Sequence, residues 1–346
     1  MSTLDPIAHL PHKDPDAFIR DVTDRIWVDR DIAHIRENYE HGSIVHGPLG
    51  TAIGVDQVVQ GSMMRIAQVP SHIGQAEDVI WEQRGDDAFV SSHLVFSIDE
   101  HPGAADEVEA RLRQGVLGPR TIRSRTIATC LYRRGRMVEE WVVRDSLAHA
   151  LQEGHDPDEL ALQHTFAGYA PSFTEPAPAD PLTVGDSGPR PDQHRAECEK
   201  VLELIHEGWN TRNLNLVNDL VERDVFLHTI GDTSVVRADG YQRALLRLIR
   251  AFPGSQFEVR DLHTNESTRY GGVRVGVVWK LVGDYDGVAD YGPLTGKPVE
   301  LLGISQFQFH EGRIVKEIRI WDDVCLRAQV NAGRGDGEEF TFANLY

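Results

Sequence analysis

Cysteine is scarce in this 346-residue chain. Cys130, Cys198 and Cys325 are its three thiols, far apart and in no Cys-x-x-Cys pair. A disulfide framework or a cysteine metal site is therefore not expected, which suits a reducing, cytoplasmic setting. Positive charge is also short: 35 Lys and Arg against 54 Asp and Glu leave 35 − 54 = −19, spread along the chain. That balance argues against nucleic acid and anionic membrane surfaces as partners. No apolar run approaches the roughly 20 residues that span a bilayer. Residues 1–18 carry prolines and charges and no apolar core, so they do not read as a secretory signal. The 16 histidines form no HxH, HExxH or Cys/His spacing, and no catalytic metal is expected. No Gly-x-Gly-x-x-Gly, phosphate-binding loop or Gly-x-Ser-x-Gly elbow occurs, so neither a nucleotide cofactor nor a serine triad is supported. The glycine-rich stretch Gly271–Gly276 reads as a turn entering a strand.

What is present is one pattern used twice. Gly135-Arg136-Met137-Val138-Glu139-Glu140-Trp141-Val142-Val143-Arg144-Asp145 parallels Gly312-Arg313-Ile314-Val315-Lys316-Glu317-Ile318-Arg319-Ile320-Trp321-Asp322. Each has Gly-Arg at a tight turn, an alternating strand, and an acid ten positions after the glycine. Upstream spacing repeats too: Trp27 to His46 and Trp209 to His228 are both 19 positions. His46 to Asp145 is 99 and His228 to Asp322 is 94, with the difference assigned to a longer insert in the first copy. Matched spacing of this kind marks an internal duplication.

The order of elements follows from periodicity. Asp14 is placed to cap a helix opened by Pro15 and carrying Phe18, Val22, Ile26 and Trp27 at helical spacing. A short helix through Ile32 and Ile35, a strand at 43–46 and a helix from Val55 to Ile66 follow. The period then changes to two, with strands over 75–82, 89–98, 120–133 and 137–144 and a helical insert expected over 100–114. The second copy repeats the series: a Trp209 helix, short helix 214–220, strand 225–229, helix 241–252, and strands 256–263, 273–282, 301–309 and 313–321. The predicted class is α+β: two tandem cone-shaped half-barrels, each three helices on a curved antiparallel sheet. The expected boundaries are 14–155, a proline-rich linker over 156–192, 193–334 and a tail over 335–346.

This pattern resembles the nuclear-transport-factor-2-like superfamily and, within it, the SnoaL-like polyketide cyclase and ester cyclase family. The resemblance rests on "HEGWNTRNLNLVNDLVERDVFLH" (206–228), "GPLTGKPVELLGISQFQFHEGRIVKEIRIWDD" (292–323) and "GRMVEEWVVRDSLAHALQEG" (135–154). It implies a cone-shaped cavity in which the strand-ending acid serves aldol-type ring closure, a role that falls on Asp145 and Asp322. It also implies that His46 and His228, on the short first strands, point into that cavity. The characterised cyclases use a further histidine seven positions before the turn glycine, and here those positions hold Ala128 and Ser305. The first copy also lacks the Pro-x-x-Gly-Lys loop.

From the residues, Asp322 and Asp145 are either acid/base groups with raised pKa or caps of the turns that follow. His228 and His46 are either polar partners of those acids or wall histidines. Trp209, Trp27, Tyr291 and Ser305 are candidate substrate contacts, with core packing as the alternative. Tyr285, Tyr291 and Lys297 lie on a loop that is either a lid or solvated. The functional expectation is cofactor-independent acid/base chemistry on a small carbonyl compound: cyclisation, isomerisation, hydration or lyase cleavage. Two alternatives stand beside it. One is a non-catalytic ligand-binding or dimerisation module. The other is an epoxide-hydrolase-like site drawing on Arg123, Arg125 and Asp145. The two sheets are expected to pack within one chain as a pseudo-dimer, with a further homodimer open.

Overall fold

The structure, a computed structural model, describes residues 14–48, 50–101, 109–111, 113–114, 120–163, 183–184, 188–189, 193–267 and 269–332. The tail after residue 332 and most of the 100–114 insert and the proline-rich linker lie outside them.

In the first domain, helices α1 (Pro15–Trp27) and α2 (Ala33–Asn38) lead into strands β1 (Tyr39–Gly47) and β2 (Gly50–Ile53). Helix α3 (Val55–Gln68) then precedes the long strands β3 (Ile73–Arg84), β4 (Ala88–His101), β5 (Arg120–Arg133) and β6 (Arg136–Arg144), followed by α4 (Ser146–Glu153). Helix α5 (Pro157–Gln163) falls in the stretch expected as linker, and a small hairpin of β7 (Thr183–Val184) and β8 (Gly188–Pro189) follows it. The second domain opens with α6 (Arg195–Glu203), continued by a π-helical turn (Leu204–Asn210), and α7 (Val217–Leu220). Next come β9 (Val221–Thr229), β10 (Thr233–Val236), α8 (Ala238–Ile249), β11 (Gln256–Glu266), β12 (Val273–Asp284), β13 (Pro298–His310), β14 (Arg313–Trp321) and α9 (Asp323–Asn331).

Both sheets have six strands in the same order, β2-β1-β6-β5-β4-β3 and β10-β9-β14-β13-β12-β11. They are mixed, not antiparallel as expected, because the first strand of each domain runs parallel to its last (β1 with β6, β9 with β14). Local chemistry explains the frame. The Asp14 side chain accepts the Asp16 N–H at 3.1 Å and caps α1, with Pro15 at the first helical position. The β5–β6 and β13–β14 turns place Arg134-Gly135 and Glu311-Gly312 at φ of 51°, 76° and 48°, 75°. Two consecutive left-handed residues make the hairpin turn that matches strand twist, and glycine at the second position removes half the steric cost.

Alternation divides each sheet into two faces. One face closes over the helices of its own domain. The other meets the second sheet, where Leu94, Ile127 and Val143 pack with Val278, Leu302, Ile304, Ile318 and Ile320. Arg84 donates to Asp261 at 3.1 Å across this junction, Arg274 pairs with Asp78 in the reverse sense, and Gln306 donates to the Ser92 carbonyl at 3.0 Å.

Candidate functional site

The two strand registers superpose residue for residue. His93 pairs with Ala128 and Ala128 with Val142, just as Val277 pairs with Ser305 and Ser305 with Arg319. The caps before α3 and α8 agree as well: Gly54 and Arg237 have φ/ψ of 93°/144° and 71°/152°, and each donates its N–H to the first strand at 2.8 Å. Equivalent positions inside the two cones can therefore be compared directly.

The second cone is full. Trp279 lies directly over Gly303, where any side chain would collide with the indole. Trp209, Phe257 and Trp279 meet edge-on or tilted at 4.9–5.9 Å between ring centres. Beneath them lies a buried polar cluster. Glu317 takes both Nε (2.7 Å) and Nη2 (2.6 Å) of Arg319, the Ser305 hydroxyl at 2.9 Å and the Tyr241 hydroxyl. Arg319 also lies 4.5 Å from the Trp209 ring centre, a cation–π contact. The carboxylate is met by donors on both oxygens, which is what a buried ion pair needs to persist.

The first cone is hollow. The places of Phe257, Trp279, Tyr241 and Arg319 are held by Gly74, Val95, Val58 and Val142. Removing that much side chain leaves a cavity of about 410 Å³, within the usual range for a small-molecule site. Its lining includes Trp27, Tyr39, Arg65, His93, Glu140 and Arg144 from the first domain. The rim is completed by Asp145, Ser146 and His149, and by Asp322, Val324 and Cys325 of the second domain.

Glu140 occupies the place of Glu317, but its three donors are gone: Arg319, Ser305 and Tyr241 correspond to Val142, Ala128 and Val58. Among the described residues its one hydrogen bond comes from the Tyr39 hydroxyl at 3.3 Å. Burial pushes its carboxyl above the usual range, with Arg144 and the Tyr39 hydroxyl opposing in part. His93, cross-strand from Ala128, is neutral: burial pulls it down to about 4. Its Nδ1 is buried with no hydrogen-bond partner among the described residues. Near the mouth, Asp99 bonds His72 Nδ1 at 2.6 Å, His149 Nε2 at 2.7 Å and Arg65 at 3.2 Å. Burial opposes ionisation of Asp99, but those partners outweigh it and hold the carboxyl well below the usual range. Burial likewise opposes charging His149, and the Asp99 and Glu153 carboxylates reverse it and raise its pKa.

The residues expected to form the site are placed as follows. Asp145 caps α4, accepting Ala148 N–H at 3.0 Å, and crosses to the second domain to accept Gly231 N–H at 2.7 Å and Asp232 N–H at 2.9 Å. Burial pushes its pKa up to about 6 in spite of these three donors. Asp322 caps α9 through Cys325 N–H at 2.9 Å and accepts the Ser146 hydroxyl. Both acids touch the rim of the first cavity, so Asp322 serves a different cone from the one its sequence position suggested.

His46 and His228 lie on the opposite sheet face from their cones, because Val45 and Leu227 take the inward positions. His46 bonds Glu139 at 2.8 Å and stacks on Trp141. His228 accepts from Arg125 at 3.2 Å, so Nε2 is bare and Nδ1–H donates to Ser234 at 3.0 Å. Burial and the Arg125 charge bring its pKa down to about 4. The expectation that these histidines point into the cavity is therefore corrected. Trp27 lines the cavity and sits edge-on to His72, whereas Trp209 is fully buried core. Ser305 is held between Trp279 Nε1 and Glu317. Tyr291 packs on Phe252, and its loop is tied down by the Tyr285 hydroxyl, which donates to the Gly292 carbonyl at 2.6 Å and accepts Tyr291 N–H. Arg125 faces Glu77 and the domain junction, and Arg123 is exposed, so no Asp-Arg-Asp set gathers among the described residues of the cavity.

Glu140, His93, Tyr39, Arg65 and Arg144 are the residues that sequence reasoning missed. The signal was present for Glu140: a glutamate recurs at the same position of both final strands, amid apolar residues, where a charged group is unusual. His93 carried none, since its place beside Ala128 depends on register.

The chain is thus a duplicated α+β cone, one copy filled and one hollow, with Glu140 on the wall of the hollow one. The model of the SnoaL-like polyketide cyclase family matches residues 199–330, within the second domain. Among solved structures, a protein from Jannaschia sp. CCS1 described as a SnoaL-like polyketide cyclase is 19% identical, covering 40% of this chain and 92% of its own (TM-score 0.35). IdmH of Streptomyces antibioticus, described as a polyketide cyclase, is 21% identical over 39% of this chain and 99% of its own (TM-score 0.34). AclR of Streptomyces galilaeus, described as a hydroxylase, is 18% identical over 39% and 84% (TM-score 0.34). No curated protein matches the chain. Among the described residues, no helix is long and apolar enough to cross a membrane.

Proposed function

We propose that this chain is a cofactor-independent acid/base enzyme acting on a small carbonyl compound in the first domain's cavity. Aldol-type cyclisation and isomerisation begin by removing a proton from carbon next to a carbonyl, and hydration and retro-aldol cleavage pass through the same enolate, which is then protonated at that carbon. Glu140 is the base for that proton removal and His93 the neutral imidazole that donates to the carbonyl oxygen. The observation that carries this reading is the loss of all three donors around a glutamate that both domains retain. A half-buried carboxylate on a cavity wall, with one hydroxyl for a hydrogen-bond partner, is costly unless something else uses it. Desolvation also raises its basicity toward the range useful for proton transfer near neutral pH. Asp145 remains a candidate acid, but its oxygens are occupied by three backbone N–H groups, and it acts here as a cap and a tie between domains. The second domain, with its cone filled, completes the rim through Asp322 and holds the first in place.

The test uses 2-octanone in heavy water, with exchange of the protons next to the carbonyl followed by NMR. The whole protein is expected to accelerate exchange, and Glu140→Gln to slow it about a hundredfold, a usual size for a positioned base. If Glu140→Gln exchanges as fast as the parent while Asp145→Asn does not, the base is Asp145 and the assignment fails.

A further inference from the structure

The filled domain also reports what the hollow one has been fitted to hold. Six positions that are leucine, glycine or tryptophan in the second cone carry oxygen or nitrogen groups in the first. Leu245, Leu281, Leu301 and Gly303 are replaced by Ser62, Ser97, Ser124 and Thr126, and Leu248 and Trp321 by Arg65 and Arg144. All six line the cavity. No hydrogen bond from another described residue reaches the four hydroxyls. A cavity that only needed space would have been opened with alanine or valine, as at Val95 and Val142. Hydroxyls without partners among the described residues, carried by α3, β4 and β5 around the cavity, are groups waiting for acceptors and donors on a ligand.

The arginines define one end. Arg144 is four residues from Glu140 on the same face of β6, so the two lie on the order of 13 Å apart along the strand. Arg65 joins Arg144 at that end, where burial and then the like charge of Arg144 depress the Arg65 pKa. Carboxylates near them have protein partners of their own: Asp99 bonds His72, His149 and Arg65, Glu153 pairs with His149, Asp145 accepts backbone N–H groups, and Asp322 accepts the Ser146 hydroxyl and Cys325 N–H. Planar guanidinium groups are suited to carboxylate oxygens.

We infer that the substrate is an elongated, multiply oxygenated carboxylic acid, held by its carboxylate at Arg65 and Arg144 with its reacting carbonyl at Glu140 and His93. This rests on the reading that the first domain's cavity is the site, and it adds the class of molecule and its direction of entry.

The test compares 7-oxooctanoate with its methyl ester by isothermal titration of the whole chain, since the two differ only in the charged end. The acid is expected to bind at least tenfold tighter than the ester. Arg144→Leu, and separately Arg65→Leu (the residue the second domain carries there), are expected to reduce that preference below threefold. Equal binding of acid and ester by the parent protein, binding of neither, or a tenfold preference that survives both arginine substitutions overturns the inference. Arg65→Leu decides the matter if Arg144→Leu does not fold. Failure of the base assignment would show instead as unchanged exchange of 2-octanone in Glu140→Gln, with the acid-over-ester preference intact.

Discussion

Glu140 and Glu317 are the same residue in two copies of one fold, and they lead opposite lives. Glu317 is enclosed by Arg319, Ser305 and Tyr241 and serves as the polar knot of a solid core. Glu140 faces open volume with a single hydroxyl beside it. The difference is made by neighbours: valine, alanine and valine replace the three donors. A carboxylate in a core is structural when its lone pairs are spent inside the protein, and is available for chemistry when they are not. The family match to residues 199–330 falls on the domain whose cone is filled. The copy that the family model matches is therefore the one whose centre is packed with aromatic rings and an ion pair.

This contrast can be broken from either side. The largest effect is expected in the second domain. Arg319→Val, which installs the residue of the first domain, leaves Glu317 buried without its cation and should cost about 3–5 kcal/mol of stability by denaturant titration. A cost below about 1 kcal/mol would show that the knot is not what holds that cone together. The next tests the hollow. Val95→Trp with Thr126→Gly rebuilds the Trp279–Gly303 stack in the first domain and should abolish titratable binding of 7-oxooctanoate while leaving far-ultraviolet circular dichroism unchanged. Unaltered binding in a folded double variant would move the site elsewhere.

The smallest effect concerns pH. The Glu140 pKa is raised in the folded state, so its contribution to stability is present below the ordinary glutamate range and is lost as pH rises through the raised value. Above that window Glu140→Gln should be more stable than the parent by about 1 kcal/mol, the low end of the penalty for a buried polar group short of partners. The two should converge in acid. A glutamine variant that is less stable at pH about 8, well above the ordinary glutamate range, would mean that Glu140 is satisfied by groups other than Tyr39.

Much of the frame was legible. Strands 120–133 and 313–321 coincide with the observed limits, and Asp14, Asp145 and Asp322 can all be recognised as residues that cap helices. The capping reading of the two strand-end acids, set beside acid/base at the outset, is the geometry observed. The site was less legible. His46 and His228 recur faithfully because both bond a hydroxyl or carboxylate on the outer sheet face, not because both face a cavity. Recurrence in a duplicated chain marks shared architecture as readily as shared chemistry. Ala128, which stands where a cyclase histidine was expected, turns out to face His93 on the neighbouring strand, a substitution visible only through register.

Sequence by itself determined the duplication, the order of helices and strands, the two glycine turns and the helix caps. These depend on contacts within a few residues, which local spacing records. Only the tertiary structure decided which face of each sheet is the inside and which cone is hollow. It also decided that Asp322 of one domain edges the cavity of the other. The inside face is set by which of two alternating sets finds a partner layer. The cavity is a sum over side chains from several strands and a helix, so no single stretch records whether that sum leaves room.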